Sequence, residues 1–370
     1  MFTLSVCLIA KDEEPVLARC LACAKRFADE IIVVDTGSAD RTREIARGFT
    51  DQVYEFAWHD DFAEARNFSY SLANYDYIMW LDADEVVEAE DCERIAALKR
   101  TLPPDIDVVY MVMRGAEKSN LATAVLRDRM IRRSLGARWV FPVHEGIPMR
   151  AASPDGQVRE YKGYIAENIT IWHKKALVND PGRNLRIFEK MEAEGTAFIP
   201  FNDAYYCREL YAHRHYEKAY ARYLRLKESR SLSDIAHALP FAIWSLQCLE
   251  RWRDSLDELA EALERFKPTS LLCCEMGNGF ARLGEDSQAE FWYLKALSCP
   301  FDLRGFGLAF PAYDVYVPCL KLSKLYARAG RMGKAAEYNE KAAAACPESL
   351  SAALNRLYFA SLARDGERTV

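Results

Sequence analysis

Glu30 to Val34 reads EIIVV, a nearly unbroken run of β-branched residues. A strand with no polar face must be covered on both sides, and a parallel sheet between helical layers does that. Its neighbours make the same demand. Phe2–Ile9, Gln52–Phe56 and Tyr77–Leu81 read as further strands. Between them Glu13–Lys25, Arg41–Arg47 and Phe62–Ala73 read as helices, with Pro15 tolerated in a first turn. Gly37 permits a tight turn after EIIVV, and Ser38 or Asp40 can cap the helix that follows. Alternating strands and helices predict an α/β layer with right-handed crossovers.

In such sheets ligands gather beyond the carboxyl ends of the strands. Lys11, Asp12 and Glu13 follow the first strand, Asp35 and Thr36 the second, and Asp82, Asp84 and Glu85 the fourth. The last three close the stretch YIMWLDADE, and carboxylates this close repel one another and resist burial. A shared divalent cation removes the repulsion. Mg²⁺ or Mn²⁺ takes oxygen donors and commonly bridges to a phosphate. A solvated turn is the plainer reading of a lone DxD, and the position after a buried strand weighs against it.

Composition narrows the class. The chain has 370 residues, enough for two or three domains, and is 50% hydrophobic and 28% charged. Its net charge of −6 argues against a nucleic-acid binder. Phe2–Ala10 is interrupted by Thr3 and Ser5 and followed by KDEE, which suits neither a transmembrane helix nor a signal peptide. A cytoplasmic protein is expected, able to work peripherally at the inner face of a membrane. Eleven cysteines form no framework, which fits a reducing compartment. The single CxxC, Cys20 and Cys23, reads as small buried residues on a helix.

Four stretches, LSVCLIAKDEE, DEIIVVDTGSADRT, DFAEARNFS and YIMWLDADE, together resemble family 2 glycosyltransferases of the GT-A fold, in family order. The resemblance covers roughly residues 1–180. It is closest to a bacterial branch with C-terminal tetratricopeptide-like helices, in which some members glycosylate peptides and others build surface glycans. It implies a metal-dependent, inverting transfer from a nucleotide-diphosphate sugar, a UDP-sugar first among them, to a peptide, protein or glycan acceptor. Ala10, Asp35 and Thr36 would hold the base and ribose. Many relatives have a second aspartate where Thr36 stands. Arg66 would lie near the diphosphate, Asp82 on the ribose side, and Asp84 on the Mg²⁺ or Mn²⁺ ion.

Between Asp91 and Lys175 the pattern changes. Asp107–Arg114 and Ala124–Arg132 read as strands that can pair antiparallel, and RWVFPVHEGI follows. The resembled branch has a His–Glu pair here, on the acceptor side. An inverting transfer needs a base to take the acceptor's proton, and Glu145 is the candidate. His144 would orient the loop or touch the donor. His173, closing an alternating strand, is a candidate for the metal or phosphate, with a core histidine beside Trp172 as the other reading.

From about residue 200 the sequence turns helical. Gly277, Phe280, Gly284, Ala289, Tyr293 and Ala296 fall in tetratricopeptide positions, as do Ser323, Tyr326, Gly330, Ala335 and Ala342. An insertion, Phe301–Tyr316, separates these units, and earlier units fit loosely. The expectation is therefore a GT-A domain over 1–195 and a helical array over 196–370. The array offers a surface to an acceptor, a partner or a second copy of the chain. The other functional reading is a degenerate transferase domain serving as a scaffold.

Overall fold

A computed structural model describes residues 1–115, 124–152, 158–174, 180–299 and 310–368. The chain divides into two compact units, residues 1–116 with 125–197, and residues 198–370 with 117–124.

The first unit opens with β1 (Leu4–Ala10), α1 (Leu17–Ala24), β2 (Glu30–Asp35), α2 (Thr42–Arg47), β3 (Val53–Glu55), α3 (Phe62–Ser71) and β4 (Tyr77–Asp82). It continues with β5 (Glu85–Val87), α4 (Ala89–Thr101), β6 (Val108–Gly115), β7 (Ala124–Arg132), β8 (Arg150–Ala152), β9 (Val158–Glu160), β10 (Gly163–His173) and α5 (Arg183–Ala193). Among the described residues eight strands form one sheet, in the order β3-β2-β1-β4-β7-β6-β10-β5.

β2 is buried along its whole length. Val33 joins the layer of α1 and α4 with Leu4, Leu8, Leu17, Leu21, Met79 and Ile95. Ile32 and Val34 point the other way, into the layer with Ala63, Tyr70, Ile78, Trp80 and Trp139. The two-sided cover demanded by EIIVV is thus supplied, each such side chain contributing about 1.5–3 kcal/mol.

β1, β2, β3 and β4 run parallel. The second half makes the sheet mixed, since β7 is antiparallel to β4 and β5 antiparallel to β10, while β6 and β10 are parallel. In register, Ala10 faces Asp35 and Ile9 faces Asp82, so three strand ends share one rim.

The first helix starts at Leu17, not at Glu13, because the preceding acids are spent on the next loop. Asp12, with φ 52°, donates its N–H to Ser38 Oγ and accepts from Ala39 N. Glu13 N donates to Thr42 Oγ1, Glu14 N donates to Asp40, and Glu14 accepts from Arg41. Asp40 also accepts from the Thr42 N–H at the start of α2.

The second unit runs α6 (Pro200–Ala212), α7 (Tyr216–Lys227), α8 (Leu232–Cys248), α9 (Trp252–Arg265), α10 (Ser270–Arg282), α11 (Asp286–Ala296), α12 (Tyr316–Arg328), α13 (Met332–Ala345) and α14 (Leu350–Arg368). Four helical hairpins turn through a left-handed residue: Arg214, Glu250, Gly284 and Gly330, spaced by 36, 34 and 46 residues. A glycine tolerates that conformation freely, whereas Arg214 and Glu250 accept about 1–2 kcal/mol of strain. The two glycine-marked turns are the ones the sequence reveals. Close packing is real at Gly277, where an added Cβ would lie 2.5 Å from the Tyr293 ring. Of the insertion, residues 301–309 lie outside the described residues, and Pro311–Tyr313 is a 3₁₀ turn.

Candidate active site

The floor of the rim is made by two loops locked together. Thr36 donates both its N–H (2.9 Å) and its hydroxyl (3.2 Å) to the carbonyl of Ala10. The Asp35 carboxylate, 2% exposed, turns back to accept from Gly37 N and Ser38 N, with Arg43 Nε at 3.8 Å. Ala10, Asp35 and Thr36 therefore sit together at the strand ends, and the Asp35 and Thr36 side chains brace the turn itself.

Beside them lies a buried cation between two carboxylates. Arg66, on α3, donates through Nη2 to Asp82 Oδ1 at 2.7 Å and through Nε to Glu145 Oε1 at 2.5 Å. Its guanidinium stacks between Trp80, 4.7 Å away, and Trp139, 4.9 Å away. Burial works against this charge, but Glu145 and Asp82 outweigh it and hold the guanidinium protonated. Enclosure likewise works to raise the Asp82 carboxyl, and Arg66, with Arg129 behind it, overrides that and brings it to about 2. Asp82 is thus an anion throughout the physiological range. Glu145 is mostly covered, and its neighbour His144, with φ 51°, stacks on Phe188 at 6.0 Å.

The three carboxylates of DADE have three different partners, which resolves the repulsion the sequence poses. Asp82 pairs with Arg66. Glu85 is fully buried, forms a two-bond ion pair with Arg129 (2.6 and 2.8 Å), and accepts the Asp82 N–H at 3.0 Å. Arg129 is itself fully buried and lies 3.8 Å over Trp80. Asp84 Oδ2 is 2.8 Å from His173 Nε2. That contact exists because β5 pairs with the end of β10, setting Glu85 opposite His173, and because the Lys174 N–H donates to the Asp84 carbonyl. The bond to Asp84 raises the pKa of His173, outweighing burial.

Asp84 and His173 are the pair that can hold a cation. Cis donors on an octahedral ion with bonds of about 2.1 Å lie about 3 Å apart, close to their 2.8 Å separation. Among the described residues no third metal-ligating side chain joins them, so the remaining positions would fall to substrate oxygens and water.

Sequence reasoning passes over three residues of this site, Arg129, Trp139 and Arg183. Arg129 and Trp139 sit in stretches read only as strand and loop, and nothing in their spacing marks their roles. Cys20 and Cys23 are, as read, free buried residues on α1, and Cys20 Sγ donates to the Asp82 carbonyl at 3.3 Å. Arg183, at the start of α5, lies over Phe62 at 4.6 Å, and its Nε has no hydrogen-bond partner among the described residues. Burial lowers its pKa, against the pull of Asp180, Glu145, Glu13 and Asp82.

Residues 5–150, within the first unit, match Glycosyl transferase family 2. A TPR repeat-containing protein of Synechococcus elongatus is 35% identical over 145 residues, 39% of this chain and 35% of that protein. An uncharacterized glycosyltransferase of Rickettsia typhi is 29% identical over 126 residues, 33% of this chain and 43% of the relative. The chain thus spans well under half the length of these relatives. Glucosyl-3-phosphoglycerate synthase from Mycobacterium tuberculosis, solved with Mg²⁺ and uridine-diphosphate, aligns with 36% of this chain and 57% of its own at 19% identity. The TM-score of that alignment is 0.29.

Proposed function

We propose that this family 2 glycosyltransferase domain transfers a sugar, with inversion, from a nucleoside-diphosphate donor to an acceptor nucleophile. The observation that carries the reading is the Asp84–His173 pair beside the ion-paired Asp82, at the rim where three parallel strands end. In this reading the braced turns at Ala10, Asp35 and Thr36 receive the nucleoside. Asp84 and His173 would hold Mg²⁺ or Mn²⁺, which when bound would supply Lewis-acid stabilisation of the leaving diphosphate. Asp82 faces the ribose side. Arg66, already matched by two carboxylates, fixes Asp82 and Glu145 in place and contributes to the field around the diphosphate. Arg183, whose Nε has no hydrogen-bond partner among the described residues, is the further cation suited to phosphate.

Glu145 serves as base. The acceptor's nucleophilic atom bonds to the anomeric carbon, the bond to the diphosphate breaks, and the acceptor's proton passes to the carboxylate. Arg66 aims that carboxylate through a 2.5 Å contact. The acceptor is a peptide, protein or glycan, and the helical array contributes to its recognition.

The test is a panel of nucleotide sugars incubated with the full chain and Mn²⁺, following release of nucleoside diphosphate. One donor class should turn over, and Asp84→Asn should abolish it. Release from no donor, or equal release by Asp84→Asn, contradicts the reading.

A further inference from the structure

The second unit has a groove of about 480 Å³ lined by Tyr211, Trp244, Gln247, Cys248, Trp252 and Tyr313. Four of these six residues are aromatic. Tyr211 lies on α6, Trp244 and Gln247 on α8, Trp252 on α9, and Tyr313 in the 3₁₀ turn before α12.

Behind this wall lies a carboxylate with an unusual set of partners. Glu275, on α10, is 1% exposed. Its Oε1 accepts from Trp244 Nε1 (3.0 Å) and from the Tyr313 hydroxyl (2.8 Å). Its Oε2 accepts from Gln247 Nε2 and Asn278 Nδ2, both at 2.9 Å. All four donors are neutral. A buried anion normally acquires a cationic partner, and among the described residues Glu275 has none.

This arrangement has consequences for the groove. Trp244 and Tyr313 spend their N–H and O–H hydrogens on Glu275, and Gln247 Nε2 divides its two between Glu275 and Ser255 Oγ. Donation to a carboxylate enriches the indole and phenol rings in electrons. Gln247 is left with its amide oxygen, an acceptor. Among the described residues no lysine or arginine stacks on Tyr211, Trp244 or Tyr313, whereas Arg282 already lies over Trp252 at 5.8 Å, so the first three rings are the ones open to an added cation. The wall is thus aromatic, rich in acceptors and backed by an uncompensated negative charge. Such a wall attracts a cation over its ring faces.

We infer that this groove binds a lysine or arginine side chain of a polypeptide, with the cation over the rings of Trp244 and Tyr211 and Glu275 supplying the charge behind them. The site lies wholly in the helical array and does not depend on the transferase reading.

Calorimetry with the full chain tests it. The probes are a glycine–serine peptide carrying arginine, its lysine counterpart, and a citrulline version that keeps the shape and removes the charge. The arginine and lysine peptides should bind, and citrulline should weaken binding by about tenfold or more, the scale of a partly desolvated cation–π contact. Glu275→Gln should weaken the arginine peptide similarly. If that variant fails to fold, Tyr211→Leu removes one ring of the groove and should cost about fivefold. Equal affinity of the arginine and citrulline peptides overturns the inference, as does an arginine peptide indifferent to Tyr211→Leu. Binding of tetramethylammonium but of neither charged peptide overturns the polypeptide assignment.

Discussion

Glu85→Gln separates structure from chemistry within DADE. Glu85 and Arg129 are both fully buried and joined by two hydrogen bonds. The substitution keeps the volume and an acceptor for the Asp82 N–H, but it leaves Arg129 as an uncompensated buried cation. Removing one partner of such a pair costs about 3–5 kcal/mol. A unit of this size loses about 2–4 °C per kcal/mol, so its melting temperature should fall by about 6–20 °C. Asp84→Asn, one residue away, retains a polar contact to His173 at a site not fully closed, and should melt within about 3 °C of wild type. Differential scanning calorimetry of the two variants reads the contrast. A double variant, Glu85→Leu with Arg129→Met, removes both charges and should recover much of the loss. Melting of Glu85→Gln at the wild-type temperature would refute the reasoning, as would a double variant worse than the single one.

Two further outcomes are expected. Glu145→Gln should leave donor affinity nearly unchanged while turnover falls ~10²–10⁴-fold, measured by steady-state kinetics and calorimetry on the same preparation; near-normal turnover removes it as the base. Gly277→Ala forces Tyr293 to move and should destabilise the array by about 1–3 kcal/mol in chemical denaturation followed by circular dichroism.

The strands and rim were legible because burial on both faces leaves an unmistakable pattern in EIIVV and YIMWL. Of the residues that follow β1 at the rim, Asp12 accepts from the Ala39 N–H and Glu13 donates its N–H to Thr42, pairings that are long-range and leave no mark in the local sequence. In the mixed half of the sheet β6 and β7 were legible as strands, whereas β5 was hidden for the same reason: it is three residues long and owes its existence to β10. Arg129 reads as one more polar residue in a strand until Glu85 and Trp80 surround it. In the array, periodicity was visible at Gly284 and Gly330, where the left-handed turn selects glycine. It was obscured at Arg214 and Glu250, which adopt the same conformation without it.

The central claim is that Asp84 and His173 hold a divalent ion that secures a nucleoside diphosphate. Isothermal titration of UDP into the full chain, with Mn²⁺ and with chelator, tests it most directly. Other nucleoside diphosphates are run alongside, so that base preference does not decide the result. The account predicts metal-dependent binding in wild type that Asp84→Asn loses while its melting temperature holds. Binding of equal strength with and without Mn²⁺, or an Asp84→Asn protein that binds as wild type does, would contradict it.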